Sequence, residues 1–332
     1  MTASTLSDLH FHDEAAAFAF VEARLWPQGP VCHHCGSGAR VGALKGKTTR
    51  PGLYKCYACR KPFTVRMGTV FESSHIEMHK WLQAMFLMCS SKKGISTNQL
   101  HRTLRISLKS AWFLSHRIRE AMTAVAFEGP MGGEGGIVEI DETFYGRKGG
   151  VAVQRGYAHK NAVMSLVERR PEGARIRSFH VGGTAAADLL PVIKVHVSPE
   201  THVMTDEAGQ YASLAKHFAA HDFTTHSKGE YVRDGYIHTN TVEGYYSVFK
   251  RGMIGVYQHC AEWHLRRYVA EFDFRYNNRV RLGVSDTDRT DKALLGVVGK
   301  RLTYRTTAGA QAHGARASRA TDQLGAAGKR DH

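Results

Sequence analysis

Asp141, Asp206 and Glu243 are acidic residues placed where a site that cuts phosphodiesters with two divalent cations would need oxygen ligands. Asp141 closes the apolar run Ile137 to Ile140, and Asp206 closes Val203-Met204-Thr205. Glu243 opens a segment in which Lys250 lies seven residues on, about two turns of an α-helix, so the two share one face. Hard cations such as Mg²⁺ or Mn²⁺ take carboxylate oxygens, and a pair of them can activate an attacking oxygen while stabilising a leaving one. A single aspartate after an apolar run is more often a turn residue or a helix cap, so the argument rests on the set. Of the neighbouring acids, Glu139 shares the strand face of Asp141 and Glu142 points opposite, reaching the site only if the strand ends early. Glu142 and Glu207 are expected to face solvent or to support the ligands from behind.

A second chemistry lies upstream. Cys32-His33-His34-Cys35, twenty residues, then Cys56-Tyr57-Ala58-Cys59 form two C-x-x-C knuckles at ribbon spacing. Four thiolates around a tetrahedral Zn²⁺ leave no open position, so the zinc is expected to be structural. Tyr54 and Phe63 flank the second knuckle as a small apolar cover, and His33 or His34 is an alternative ligand. Redox-active pairs are the competing reading.

These residues need elements to carry them. A helix is expected over Glu14 to Leu25, and another over Ile76 to Ser90 on the spacing of Trp81, Leu82, Met85, Phe86 and Cys89. A short helix from Ile95 to Leu104, capped by Ser96 or Thr97, turns through Arg105-Ile106-Ser107 into a longer one with Ala111, Leu114, Ile118 and Met122 inward. This is helix-turn-helix patterning, with an ordinary helical hairpin as the alternative. In a major groove, Lys109, Ser110, Trp112 and Phe113 would lie near bases, and His116, Arg117 and Arg119 near the backbone.

The glycine-rich stretch 129–136 reads as a linker into a new domain. Strands follow at Ile137 to Asp141, Ala162 to Val167, Arg175 to His180 and His202 to Asp206, with a helix at about Ala185 to Val195 before the last. The pattern implies an α/β fold, a mixed sheet with flanking helices. Trp263 to Asn278 reads as a helix, and Thr306 to His332 as a disordered basic tail. The expected domains are 1–72 (helix and zinc ribbon), 73–128 (helical, DNA-binding), 129–282 (catalytic) and 283–332 (C-terminal extension).

With 332 residues, 42% of them apolar, the chain can bury a sizeable core, and its formal charge of +15 favours a polyanionic partner. No apolar stretch spans a bilayer and no secretory signal opens the chain, so a cytoplasmic protein is expected, with no membrane partner. Arg147, Lys148, Arg155, Lys160, Arg251, Arg275 and Arg279 are candidate phosphate contacts, and His238 a candidate for orienting water or phosphate.

Taken together, Val138-Glu139-Ile140-Asp141-Glu142-Thr143-Phe144-Tyr145-Gly146, Thr205-Asp206-Glu207 with Tyr211, and His238-Thr239-Asn240-Thr241-Val242-Glu243-Gly244 with Phe249-Lys250-Arg251-Gly252 carry a family resemblance. So do Arg24-Leu25-Trp26-Pro27, the stretch from Ala111-Trp112 to His116-Arg117-Ile118-Arg119-Glu120, and His264 to Arg279. Over about residues 10 to 280 the chain resembles insertion-sequence transposases with an N-terminal zinc ribbon and a DDE-type, ribonuclease-H-like catalytic domain, the ISXO-two-like group.

The resemblance implies a metal-dependent enzyme that nicks double-stranded DNA at its element's ends and joins the freed 3′-hydroxyl to a target, acting as a dimer or larger assembly. It implies that Asp141 and Asp206 bind the metals, that Glu243 is the third acidic position and that Lys250 contacts DNA. Asn240, one turn earlier on the same helix face, is the alternative third residue. A non-catalytic DNA-binding regulator and a stand-alone metal nuclease are the competing functions.

Overall fold

The computed structural model describes residues 4–123, 129–225, 229–230 and 232–303; the expected tail lies outside them. Helix α1 (Glu14–Leu25) starts where the Asp13 side chain accepts from Ala16 N, and α2 (Met78–Ser90) supplies Trp81, Leu82, Met85 and Met88 to the core. Between them β1 (Val41–Ala43), β2 (Tyr54–Cys56) and β3 (Pro62–Phe63) form a small antiparallel sheet.

Helices α3 (Thr97–Leu104) and α4 (Leu108–Met122) begin at Ser96 and Ser107, each hydroxyl accepting a backbone N–H of the first turn. Arg105, between them, sits in the left-handed region at φ 51°. The hairpin is as expected, but the surroundings of α4 are not. From Leu114 to Arg119 every residue is buried, including His116, Arg117 and Arg119. Those three therefore do not flank a DNA backbone. Arg117 spends its guanidinium on the carbonyls of Val70, Glu72 and Leu302, and Arg119 pairs with Glu271 at 2.6 Å.

A second surprise is α8 (Asp286–Leu295), a helix not expected from sequence within the C-terminal extension. Ser285 and Asp288 form a reciprocal capping box at its start. Ala293, Leu294 and Val297 join the same core as α1, α2 and α4, and Thr69 bridges to Val298. The N-terminal helices and the segment from α8 to Val298 thus share one hydrophobic core.

The central sheet has five strands in the order β6-β5-β4-β7-β8: β4 Ile137–Tyr145, β5 Asn161–Arg169, β6 Arg175–Val181, β7 His202–Asp206 and β8 Ala220–Thr224. β5 runs antiparallel to both neighbours, while β4, β7 and β8 are parallel. Helix α5 (Ala186–His196) makes the crossover from β6 to β7. Its Leu189 and Ile193 pack on the face carrying Val138, Ile140, Met164 and Leu166. Helices α6 (Asn240–Gly252) and α7 (Glu262–Asn277) cover the other face, on Val163, Val167 and Ile176. This is the ribonuclease-H-like mixed sheet with flanking helices that the resemblance implies, behind a ribbon and a helical pair. β8 went unread because Ala-His-Asp-Phe-Thr at a sheet edge has neither alternation nor an apolar run.

The outer edge of β6 is closed by α7, since Asn277 bonds the backbone N–H and C=O of Ile176 and Asp273 accepts from Ser178 N. α7 also ties the two halves of the molecule together. Glu271, fully buried, accepts from Arg119 of α4, Arg275 of its own helix and the Tyr257 hydroxyl. Arg275 is consequently committed to the interior and is not a phosphate contact. Two buried guanidiniums depend on one carboxylate, and removing one member of such a group costs ~3–5 kcal/mol. Glu271→Leu is therefore expected to lower unfolding free energy by about that amount, measured by urea denaturation; a loss below about 1 kcal/mol would contradict the dependence.

Candidate active site and metal centre

The four cysteine sulfurs gather as the knuckle spacing demands. All lie within 4.8 Å of one another, with Cys32 to Cys59 at 3.7 Å and Cys35 to Cys56 at 3.6 Å. A tetrahedron with Zn–S bonds of ~2.3 Å has edges of roughly 3.8 Å, so the donors fit a zinc ion. A disulfide would need ~2.05 Å. The imidazoles stand outside the cluster: His34 Nε2 meets Pro62 O at 3.2 Å, and His33 packs over Gly68. Phe63, Tyr54 and Trp26 roof the cysteines, and the Tyr54 hydroxyl donates to Glu22 of α1 at 2.7 Å, fastening ribbon to helix. Of the basic residues around the ribbon, Arg66 turns inward to Ser74 O, Ile76 O and Glu14.

The acidic residues converge in the sheet. β4 and β7 pair in parallel through Glu139 and Met204 and then part. Carrying that register on by two residues sets Asp206 beside Asp141, both beyond the point of separation. In parallel sheets such a position, at the carboxyl ends of the strands, is where ligands are received. β4 does not end at Asp141, as the apolar run suggested, but continues to Tyr145 in pairing with β5. Asp141 is thus held in mid-strand, its Oδ1 accepting from Glu142 N at 2.7 Å. Asp206 closes β7 as expected, and its Oδ1 accepts from Ala208 N at 3.0 Å.

Helix α6 lies over this face. Asn240 is its first residue, Glu243 stands one turn in and Lys250 two turns beyond, the last exposed. The Tyr246 hydroxyl donates to the carbonyl of Asp141 at 2.5 Å, tying helix to strand beside the acids. Thr239 donates to Glu243 Oε1 at 3.2 Å.

Burial above all, with the charges of Glu142, Asp206 and Glu243 adding to it and the Glu142 N–H bond opposing, pushes the Asp141 carboxyl up to about 8. Glu142 is not solvent-facing: burial, with the charge of Asp206 adding to it, lifts its carboxyl to about 7. Its side chain lies beside Tyr211 and Gln210 on the opposite side of β4. Asp141 therefore feels the charge of the other three acids. Among the described residues only the cysteines close to within 4.8 Å as a group, so the acidic set is the looser of the two.

Of the expected DNA contacts, Arg147, Lys250 and Arg251 are exposed, Arg251 bonding Ser247 of its own helix. Lys148 donates to Gly182 O, Lys109 is exposed at the start of α4, and Trp112 is half-buried against His116 and His264. His238 accepts from Arg169 rather than facing solvent. Glu139, noted from sequence only as a neighbour of Asp141, is fully buried and accepts from the first turn of α6. A groove of about 980 Å³ runs between β6 and α7 and does not include the acids.

Family models decide what this arrangement belongs to. The ISXO2-like transposase domain matches residues 134–277, and the transposase zinc-ribbon domain matches residues 12–62. The chain belongs to the ISXO2-like transposases. A protein of the transposable element ISH50 of Halobacterium salinarum is 27% identical over 282 residues, 75% of this chain and 86% of that protein. The matched domain runs from just before β4 to the end of α7, so Asp141, Glu142, Asp206 and Glu243 of this transposase all fall within it. No helix among its described residues is long and apolar enough to cross a membrane.

Two outcomes are expected of the transposase. Native mass spectrometry is expected to find one bound zinc in the wild type and none in Cys56→Ser; equal zinc content in the two would reject the four-thiolate site. In cation-free protein, Asp141 stays protonated until about pH 8 when folded, whereas it ionises near 3.8 when unfolded. Stability is therefore lost as pH rises between those values. Asp141→Asn should melt several degrees higher than the wild type at pH 8.5 and equally at pH 4; equal melting at both would show the carboxyl is not strained.

Proposed function

We propose that this transposase binds the ends of its element as double-stranded DNA, cleaves a strand there and joins the freed 3′-hydroxyl to target DNA. The observation that carries the reading is the convergence of Asp141, Asp206 and Glu243 where β4 and β7 part, with the charges of Asp206 and Glu243 both felt at Asp141. A carboxyl such as that of Asp141, whose ionisation is opposed by burial and by neighbouring acids, is ready to trade its proton for a hard cation. Asp141, Asp206 and Glu243 would hold two Mg²⁺ or Mn²⁺ ions, which polarise the scissile phosphate and lower the pKa of the attacking oxygen. In the first step water attacks phosphorus and the 3′-oxygen leaves; in the second that 3′-hydroxyl attacks a target phosphodiester and releases its 5′-side partner.

Glu243 is preferred to Asn240 as third ligand because it brings negative charge that reaches Asp141 and is oriented by Thr239. Lys250 and Arg251, further along α6, and Arg147, at the end of β4, are exposed where they can meet phosphates on either side of the acids. Lys109, exposed at the start of α4, and the half-buried Trp112 offer one turn for base contact, Leu114 to Arg119 beyond it being buried. Two ends must be held at once for joining, which favours a dimer or larger assembly on DNA.

Asp141→Asn, Asp206→Asn and Glu243→Gln are each expected to cut strand joining by about 1,000-fold or more while leaving affinity for end DNA within about threefold, consistent with losing charge stabilisation of the transition state. Gel assays of end-bearing DNA with Mn²⁺ score both. A variant joining at the wild-type rate removes its residue from the site, and cleavage without joining in the wild type would favour the stand-alone nuclease.

A further inference from the structure

Glu139 is the most completely bonded acid near the site. It is 0% exposed, and each oxygen accepts twice. Oε1 receives Arg169 Nε at 2.6 Å and the Thr241 hydroxyl at 2.6 Å; Oε2 receives the backbone N–H groups of Thr241 and Val242, both at 3.0 Å. A carboxylate has about four acceptor positions, and these are all in use. It therefore has nothing left to offer a cation, although it lies on the same strand face as Asp141, two residues away.

Its partners say what it does instead. Thr241 and Val242 are the second and third residues of α6, and their N–H groups are among those that a helix leaves unsatisfied at its start. An anion there is favoured by the helix dipole as well as by the bonds themselves. Thr239, preceding the helix, makes no capping bond of its own, so the cap comes from a strand a hundred residues earlier. Arg169 completes the arrangement from β5. Besides Glu139 it holds Tyr236 O, His238 O and His238 Nδ1, the segment that leads into α6. The helix entry is thus gripped by β4 and β5 directly, and Glu243 follows Val242 in the chain.

We infer that Glu139 is a positioning residue: by capping α6 from β4 it sets where Glu243 stands relative to Asp141. The inference rests on the reading of Asp141, Asp206 and Glu243 as cation ligands. A glutamine at 139 would turn an N–H₂ group toward two donors, whichever way the amide lies, and release either Arg169 and the Thr241 hydroxyl or the two backbone N–H groups. The cap would loosen while the strand and the three ligands remain.

The test is the Mn²⁺ dependence of end cleavage by the full-length chain, with Mn²⁺ binding followed by electron paramagnetic resonance. Supporting partners of metal ligands typically change affinity by about 10–100-fold. Glu139→Gln is expected to raise half-saturating Mn²⁺ by about tenfold or more, to recover most of the cleavage rate at saturating Mn²⁺, and to leave end-DNA affinity unchanged. Thr241→Val, which removes one donor and keeps both backbone bonds, is expected to shift the same quantity less, in the same direction. A folded Glu139→Gln with the wild-type Mn²⁺ dependence overturns the inference and leaves the site reading intact. If Glu139→Gln does not fold, Thr241→Val decides alone, an unchanged Mn²⁺ dependence overturning the inference. A wild-type chain that neither binds Mn²⁺ nor cleaves with it overturns the site reading, and the inference with it.

Discussion

Gathering like charges in a poorly hydrated place is the constraint under which the sheet is built. Asp141, Glu142, Asp206 and Glu243 approach one another at the end of a buried strand pair, and both Asp141 and Glu142 resist ionisation there. Nothing in the acids themselves favours that meeting. The free energy comes from the apolar layers on either side, Val138, Ile140, Met164 and Leu166 against α5, and Val163, Val167 and Ile176 against α6 and α7. Two side chains then fix the helix on the strand at the site itself, Tyr246 on the carbonyl of Asp141 and Glu139 on the start of α6.

The same economy of buried charge joins the central sheet to the helices before it. Glu271 of α7 holds Arg119 of α4, whose guanidinium also lies 4.0 Å from the Tyr268 ring and 5.0 Å from that of Tyr257. Tyr257 ends the π-helical turn Met253–Tyr257 that extends α6, and its hydroxyl fills the space above Gly94, where a Cβ would come within 1.8 Å. Gly252 is equally constrained, a Cβ there meeting Phe272 at 2.4 Å and Lys93 O at 2.7 Å. The end of α6 and the turn after α2 are therefore in direct contact, and the helix bearing Glu243 and Lys250 is braced at both ends.

Much of this was legible in the sequence where the signal is local. Helical periodicity set α1, α2 and α4 within about two residues, serines marked the starts of α3 and α4, and paired cysteines announced their own geometry. The failures share one physical cause, which is that the partner was far away in the chain. Asp141-Glu142-Thr143 reads as a strand end because polar residues in sequence resemble a turn, yet the strand continues under the cover of α6. Arg117 and Arg119 read as surface cations until Glu271 and the carbonyls of Val70 and Glu72 are seen beside them. Glu139 could be placed on the right face but not given a partner. α8 is the exception, since its Ser285–Asp288 capping box was in plain view.

That last helix has a consequence for how the protein is made. Ala293, Leu294 and Val297 belong to a core whose other members begin at Phe11, and Arg289 donates to the carbonyl of Cys89. The five-stranded sheet with its covering helices is in effect spliced between two parts of a single hydrophobic body. On a ribosome, that body waits for the sheet and the helices covering it to be made before its core can close. A chain released before α8 would emerge as a fragment with an open apolar seam, suited to chaperones and proteases.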